Sequence, residues 1–245
     1  MFFTNVEVNH DKTAERRNKL ENLYKEVYCN GKCKYSQECE SSIHMKSHDN
    51  WIYNDWSAKV GDNYDLTIDG IPVRIMIIGK EGKSFSDCIT KPSRWWPGIN
   101  RHYKVTYNLL KDLFSYYPNN DADDCVLTMF TLSNTYSCAF RNHQDQITGI
   151  KNTDVQRTNC SEIRKKEIRI LEPTLIIIQY DYLKAIDLCD DAVNCCGKVY
   201  YSSASKCYLI ESSHPSCRKH PWKNDLDNSI AYTKSLGILP SVLSN

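Results

Sequence analysis

Val73-Arg74-Ile75-Met76-Ile77-Ile78-Gly79 is the stretch that decides the fold. It is a short run of mainly apolar, β-branched residues that ends in glycine, which is typical of a buried central strand followed by a tight turn. A second run, Thr174-Leu175-Ile176-Ile177-Ile178-Gln179, has the same character and is apolar up to its last residue. Buried strands that alternate with helices form parallel sheets covered on both faces. The sequence therefore predicts a parallel sheet at the centre of the molecule.

Helical and strand patterns continue on both sides of these runs. Two further strands are predicted at Val126 to Leu132 and Lys206 to Glu211, and helices at Asp11 to Tyr28, Tyr103 to Tyr117, Cys160 to Leu171 and Asn228 to Leu236. Together they predict an α/β fold with a three-layer αβα arrangement around a mostly parallel four-stranded sheet. We expect a single domain over 1–245, with a helix and a cysteine-containing loop in 1–65 and the α/β core in 66–245.

Composition narrows the class of protein. Apolar residues make up 41% of the 245 residues and charged residues 25%, which is typical of a globular protein. The first residues lack the features of a secretion signal, and the apolar runs are too short to cross a membrane, so we expect a cytoplasmic monomer.

The net charge of +1 provides no general attraction for polyanions. Of two basic clusters, the one on the helix at Arg164, Lys165, Lys166 and Arg169 is interpreted as a solvated face.

The chain has 12 cysteines, and in a reducing cytosol disulfides are not their default explanation. Cys29, Cys33, Cys138 and Cys160 are the candidate metal ligands. Four thiolates hold either a [4Fe-4S] cluster or a structural zinc, and their spacing does not decide between the two. Seven others are interpreted as small buried hydrophobes: Cys88, Cys125, Cys189, Cys195, Cys196, Cys207 and Cys217.

Three loops that follow predicted strands carry polar residues. They are Gly79-Lys80-Glu81-Gly82-Lys83, Asn134-Thr135-Tyr136-Ser137-Cys138 and Ser213-His214-Pro215-Ser216. Sites in parallel sheets gather beyond the carboxyl ends of the strands. We therefore expect these loops to line one site.

At these places the chain resembles the uracil-DNA glycosylase superfamily, and most closely its iron-sulfur branch, over roughly residues 29–219. The resemblance rests on four features in the family's order: a glycine-bounded motif at Gly79, an asparagine four residues before a cysteine at Asn134, Cys160 before an apolar strand, and His214-Pro215-Ser216. It implies a glycosylase that rotates a nucleotide out of DNA and hydrolyses its N-glycosidic bond, leaving an abasic site. It also favours iron-sulfur over zinc.

The resemblance assigns roles to individual residues. Glu81 would orient a water and stabilise positive charge on the sugar, His214 would donate a hydrogen bond to the base oxygen, and Asn134 would bind the edge of the base. We expect the remaining contacts to the base from Phe85, Trp96, Gly79 and Gly82, and contacts to DNA from Lys83, Ser216, Arg218 and Lys219.

The chain also departs from the family pattern. Lys80 stands where the family has its acid, and Glu81 follows one place later. Three residues separate Cys29 from Cys33 rather than two, which makes Cys39 a possible substitute ligand for either. Because the pocket is reshaped, the target is uracil or a larger base such as a modified cytosine in viral DNA. Two alternatives stay open: a catalytically silent DNA-binding module and a structural zinc-binding interaction protein.

Overall fold

The computed structural model describes the backbone of residues 5–29, 32–42, 50–53, 58–79, 129–136, 138–141, 147–148, 153–179, 183–213 and 222–237. It describes the side chains of these residues except 50–53, 138–141, 147–148 and 222–225. The predicted helix at Tyr103 to Tyr117 lies outside the described residues.

The described helices and strands alternate along the chain as in an α/β fold. The helices are α1 His10–Val27, α2 Ser36–Ser41, α3 Asp154–Leu171, α4 Ala185–Leu188 and α5 Trp222–Ser235. The strands are β1 Val6–Val8, β2 Tyr28–Cys29, β3 Lys32–Cys33, β4 Asn50–Tyr53, β5 Lys59–Val60, β6 Leu66–Ile68, β7 Ile71–Val73, β8 Ile75–Gly79, β9 Phe130–Asn134, β10 Cys138–Arg141, β11 Ile147–Thr148, β12 Leu175–Gln179, β13 Val193–Cys196, β14 Val199–Ser202 and β15 Cys207–Ser212.

The main sheet has seven strands in the order β13-β14-β15-β12-β8-β9-β5. Strands β15, β12, β8 and β9 pair in parallel, and they correspond to the four strands predicted from the sequence. The remaining three pair antiparallel at the two sides of this parallel group. The α/β class is therefore confirmed, and the sheet is larger than the four strands expected.

The added hairpin of β13 and β14 was missed because its first strand carries no pattern. All four residues of β13 are exposed, so apolar and polar positions do not alternate along it. Two of them, Cys195 and Cys196, are exposed thiols. The prediction that these two cysteines are buried hydrophobes was wrong, whereas Cys189 and Cys207 are buried as predicted.

The central strands are buried on both faces. On one face Ile75 and Ile77 of β8 pack in a core that also contains residues of β6, β12 and α5. On the other face Met76 and Ile78 pack in a core shared with α1, α3 and α4. Each fully buried aliphatic side chain contributes about 1.5–3 kcal/mol, so the run identified in the sequence is a major source of stability.

Helix α3 begins six residues before the predicted start. Thr153 caps it by accepting a hydrogen bond from the Gln156 amide at 3.2 Å, and a capping hydroxyl fixes the first turn. The helix ends at Glu172, whose φ of 46° is left-handed. Helix α5 likewise begins earlier than predicted, at Trp222. Among the described helices, none combines the length and the apolar character needed to cross a membrane.

The segment before β8 holds more regular structure than the loop predicted there. It contains α2, the β2–β3 hairpin and β4, and β6 turns into β7 at Asp69 and Gly70. Both turn residues have positive φ, 49° and 81°, which is the conformation that Asp-Gly favours in a two-residue hairpin. These strands are two to four residues long, too short to show a period in the sequence.

Candidate functional site

The four parallel strands end at the same level of the sheet. Asn134 pairs in register with Gly79, Gly79 with Gln179, and Gln179 with Ser212. We call this row of four residues the carboxyl edge. Because the strands are parallel and end in register, the segments that follow them all leave from this one edge.

The first two strands of the carboxyl edge are tied together by Thr135. Its amide donates to the Gly79 carbonyl at 2.8 Å, and its hydroxyl donates to the same oxygen at 2.9 Å. Thr135 is buried, so both bonds are shielded from water. The chain after Gly79 and the chain after Asn134 therefore start from fixed, adjacent points.

A fully buried arginine of α3 binds the carboxyl end of β9. Arg164 of α3 has no exposed surface, and its Nη1 donates to Ser133 Oγ at 2.6 Å and to the Asn134 carbonyl at 2.8 Å. Its Nη2 lies 3.2 Å from Oε1 of Glu167, one turn along the same helix. The backbone of Asn134 is thus held by a charged hydrogen bond, which is stronger than a neutral one.

Glu167 completes this set of contacts, which we call the Arg164 network: Tyr24, Ser133, Asn134, Arg164 and Glu167. The carboxylate accepts hydrogen bonds from Ser133 Oγ at 2.8 Å and from the Tyr24 hydroxyl at 2.5 Å. Burial raises the pKa of Glu167, and Arg164 opposes that shift. Burial alone would lower the pKa of Arg164, but the charge of Glu167 raises it above its ordinary value.

The prediction that Arg164 belongs to a solvated basic face was wrong. Arg164 lies one turn after Cys160 on the helix face that packs against the sheet, because a helix repeats every 3.6 residues. The signal was present in the sequence: an arginine and a glutamate three residues apart, flanked by Ile163 and Ile168, share this apolar face. Of the same cluster, Lys165 pairs with Asp190 and Arg169 is exposed.

The backbone carbonyl of Asn134 has a described hydrogen-bond partner, whereas the oxygen of its side chain has none. Asn134 is 4% exposed, and within the described part of the chain its Oδ1 has no hydrogen-bond partner. A buried acceptor without a partner costs about 1–3 kcal/mol, so such groups are rare unless they serve a purpose. The Oδ1 atom can therefore accept a hydrogen bond from a segment that follows the carboxyl edge or from a ligand.

Three buried thiols lie near the start of α3, and we call Cys33, Cys39 and Cys160 the thiol group. Helix α2 docks there: Ser42 Oγ is 2.8 Å from Thr153 Oγ1, and the Asn159 amide donates to Cys39 Sγ at 3.7 Å. Burial raises the pKa of Cys39, and the neighbouring Cys33 raises it further. Burial also raises the pKa of Cys33, with the charge of Arg164 opposing.

The structure separates Cys29 from the thiol group. In the β2–β3 hairpin Tyr28 is opposite Cys33 and Cys29 is opposite Lys32. Side chains alternate between the faces of a strand, so Cys29 and Cys33 lie on opposite faces. Cys29 is exposed accordingly, whereas Cys39 is buried.

Cys138 begins β10, where it pairs with Tyr53 of β4, and its side chain is outside the described part. Across the side chains that are described, no three of His, Cys, Asp or Glu come close enough together to hold a metal ion. Cys33 and Cys160 are buried, and the positive charge of Arg164 acts on both of them, so it could offset the charge of thiolates at these two positions.

The other predicted site residues lie outside the described residues. They are Glu81, Gly82, Lys83, Phe85, Trp96, His214, Ser216, Arg218 and Lys219. Sequence reasoning missed two residues of the carboxyl edge: Gln179, which is beside Gly79, and Ser212, which is beside Gln179. Both are polar residues at the end of a mainly apolar strand, and this position is the signal that could have identified them.

No protein family model matches the chain, and no curated protein is significantly similar to it.

Proposed function

We propose that the protein is a DNA glycosylase that rotates a uracil or modified pyrimidine out of DNA and hydrolyses its N-glycosidic bond, leaving an abasic site. It would act as a monomer, with a three-layer αβα fold like that of the uracil-DNA glycosylases. The observation that carries the proposal is the buried amide of Asn134, whose Oδ1 has no partner among the described residues at the edge where four strands end.

Asn134 fits the task of binding the edge of the base. An amide oxygen accepts a hydrogen bond, and pyrimidines offer N–H groups on that edge: the ring N3–H of uracil or the amino group of cytosine. The Arg164 network fixes the backbone of Asn134, so its side chain is ordered before a base arrives. Preorganisation of this kind lowers the free energy needed to bind.

The proposed catalytic residues follow the carboxyl edge closely in sequence. Glu81 comes two residues after Gly79, and His214 comes two residues after Ser212. Two residues of chain reach at most about 7 Å, so we expect both residues to start from the same edge as Asn134. Glu81 would position the attacking water and stabilise positive charge at the sugar, and His214 would donate to the base oxygen that becomes anionic.

The remaining residues would complete the pocket and the DNA surface. Phe85 and Trp96 would stack on the base, and Gly79 and Gly82 would leave room beside it. Contacts to the DNA would come from Lys83, Ser216, Arg218 and Lys219. The chemistry is hydrolytic and needs no redox partner, and it would serve either DNA repair or defence against modified phage DNA.

We further propose that a [4Fe-4S] cluster, with zinc as the alternative, is held by Cys33, Cys39, Cys138 and Cys160. The exposed position of Cys29, on the other face of the hairpin from Cys33, favours Cys39 in its place. The cluster would supply rigidity, because it would link the β2–β3 hairpin and α2 to α3. Helix α3 carries Arg164, which in turn holds Asn134.

The test of the activity is base release from defined DNA. The protein is incubated with single- and double-stranded oligonucleotides that contain uracil, and separately with phage DNA that contains modified cytosine, and abasic sites are measured by alkaline cleavage. Glu81→Gln should abolish release and retain DNA binding. Asn194→Ala, which removes an exposed amide in the β13–β14 hairpin, is the matched control for Asn134→Ala and should leave release unchanged.

Each outcome assigns a function. Release from uracil DNA alone would exclude the enlarged pocket, and release from modified DNA alone would assign the defence substrate. Binding without release from any DNA would overturn the enzyme and leave a silent DNA-binding module.

The cofactor is tested separately from the activity. Cys39→Ser should lose iron and the absorbance near about 400 nm that iron-sulfur ligation gives, whereas Cys29→Ser should keep both. Equal loss in both variants would contradict the assignment of Cys39. Zinc in place of iron in the wild-type protein would assign the alternative metal.

A further inference from the structure

A cavity of about 600 Å³ lies at the opposite end of the sheet from the candidate site. Its lining includes Arg74, Pro173 and Lys206, which immediately precede or lead into β8, β12 and β15. We call this end of the sheet the amino edge. The cavity does not belong to the site described above, because the parallel strands separate the two ends.

A pair of thiols meets at this cavity. Cys189 caps the carboxyl end of α4 and lines the cavity, although only 4% of the residue is exposed. Cys207 begins β15 and is fully buried, and the two side chains are within hydrogen-bonding reach of each other. Cys189 is thus the member of the pair that faces the open space, and Cys207 lies behind it.

The surroundings of Cys189 favour its thiolate form. The thiol of Cys207 donates to it and lowers the pKa of Cys189 to about 6, against the effects of burial and of Asp191. Cys189 Sγ donates to Ser205 Oγ at 3.6 Å, and the same hydroxyl can donate to the sulfur once the thiol proton has left. The Ser202 hydroxyl points elsewhere, since it donates to Asp191 at 2.6 Å. Cys207 stays protonated, because donating to Cys189 and burial both raise its pKa.

Charged groups of both signs line the cavity, and among them Asp191 opposes the thiolate form of Cys189. The cations are Arg74, Lys165, Arg169 and Lys206, and the carboxylates are Glu172, Asp190 and Asp191. Asp191 is occupied by hydrogen bonds from Ser203 Oγ and the Ala204 amide. Reactive thiolates characteristically occupy electropositive places that a small molecule can enter.

We propose that Cys189 and Cys207 form a peroxide-reactive thiol pair, in which Cys189 is the attacking thiol and Cys207 the resolving one. The Cys189 thiolate attacks one oxygen of hydrogen peroxide; the O–O bond breaks, and the leaving hydroxide takes up a proton to become water. Cys189 is then a sulfenic acid. The Cys207 sulfur attacks the Cys189 sulfur, the S–O bond breaks, and the thiol proton leaves with the hydroxide as a second water. Two thiols and one peroxide thus give one disulfide and two waters.

The expected advantage of Cys189 over an ordinary thiol is modest and measurable. At pH 7 a larger fraction of Cys189 than of an ordinary cysteine is thiolate, because its pKa is lowered. Its lower basicity reduces the intrinsic nucleophilicity and offsets part of this gain. The net expectation is that Cys189 is oxidised faster than an exposed thiol with an ordinary pKa.

The chain provides its own control in Cys195 and Cys196, which are exposed thiols in the neighbouring hairpin. The reduced full-length protein is treated with one equivalent of hydrogen peroxide, and its cysteines are mapped by mass spectrometry of peptides. We expect a peptide cross-linked between Cys189 and Cys207 while Cys195 and Cys196 remain largely reduced. If the two exposed cysteines oxidise first and Cys189 stays a thiol, Cys189 is an inert core residue and the proposal is overturned.

A variant identifies the intermediate. In Cys207→Ser the resolving sulfur is missing, so the Cys189 sulfenic acid should accumulate and be trapped by a 1,3-diketone reagent. The double variant Cys195→Ser/Cys196→Ser should form the Cys189–Cys207 disulfide at the wild-type rate. A disulfide of Cys189 with any other cysteine in the wild-type protein would also refute the pairing.

Discussion

The two ends of the parallel strands use polar residues in opposite ways. At the carboxyl edge a charged network is built under Asn134, yet the Oδ1 atom of that residue has no partner in the described part of the chain. At the amino edge the polar groups bond to one another: the Arg74 amide donates to Thr174 Oγ1, and Arg74 Nε donates to the Glu172 carbonyl.

A second buried ion pair lies at the amino edge. Arg16 of α1 lies 3.0 Å from Asp65, with both side chains at most 5% exposed. The same guanidinium reaches Glu172 at 2.9 Å and donates to the Ile170 carbonyl. It therefore joins the first helix to the end of α3, where the chain enters β12.

The difference separates polar groups that hold the fold from an acceptor that we propose binds a ligand. Removing charges from water costs several kcal/mol per ion, which only good geometry and further hydrogen bonds offset. Both edges meet that condition for their ion pairs. At the carboxyl edge the Asn134 side chain also presents a buried acceptor for which no described residue supplies a donor, and its place where four strands end makes this edge the candidate site.

The largest expected effect comes from breaking the Arg164 network. Arg164→Met removes the cation and leaves Glu167 as a buried carboxylate without its charged partner. We expect the free energy of unfolding to fall by about 3–5 kcal/mol, measured by urea denaturation. The matched control is Arg169→Met on the exposed face of the same helix, which should change stability by less than about 0.5 kcal/mol.

The double variant Arg164→Met/Glu167→Leu should recover most of that loss, because no unpaired charge remains. A loss below about 1 kcal/mol in the single variant would show that the pair does not hold this edge together. The carboxyl edge would then owe less of its stability to the buried ion pair than the contacts imply.

The next effect should separate function from stability at Asn134. Asn134→Ala removes the acceptor that has no described partner, so we expect stability to change by no more than about 1 kcal/mol. The rate of base release should fall by about 5- to 150-fold, which corresponds to losing 1–3 kcal/mol of contact with the base. Urea denaturation and single-turnover release measure the two quantities. Loss of stability with release intact would make Asn134 a structural residue.

The parallel centre of the fold was predictable from sequence; of the polar network beneath it, the burial of Arg164 and Glu167 left a signal in the sequence, but their partners did not. Apolar runs such as Ile75–Gly79 and Leu175–Gln179 indicate buried strands from the sequence alone. Arg164 was predicted to be a surface residue, because the partners Ser133 and Tyr24 come from distant segments. The short hairpins were missed for a different reason: they depend on pairing rather than on a period of their own.

The hairpin that leads into the amino edge offers a smaller test. Gly70 has a φ of 81°, and an added Cβ would meet no atom within 4 Å. Gly70→Ala should therefore destabilise the protein only through backbone strain, by about 1–2 kcal/mol in thermal or urea unfolding. Asp69→Asn, at the neighbouring turn position, should be nearly neutral because asparagine also tolerates positive φ. Equal losses in both variants would mean that the Asp69 carboxylate, which accepts from the Asn5 amide, governs this turn.

The smallest effect should be a pH dependence at the amino edge. Hydrogen bonds from Ser202, the Ala204 amide and Ser203 lower the pKa of Asp191 from 3.8 to about 2. A carboxyl group whose pKa is lower in the folded state stabilises the fold above its unfolded pKa, and this contribution is lost as pH falls towards the folded value. The difference in unfolding free energy between wild type and Asp191→Asn should therefore be constant above about pH 5 and shrink towards pH 3. A difference that does not change with pH would mean that Asp191 acts only as a neutral acceptor would, and that the amino edge gains nothing from its charge.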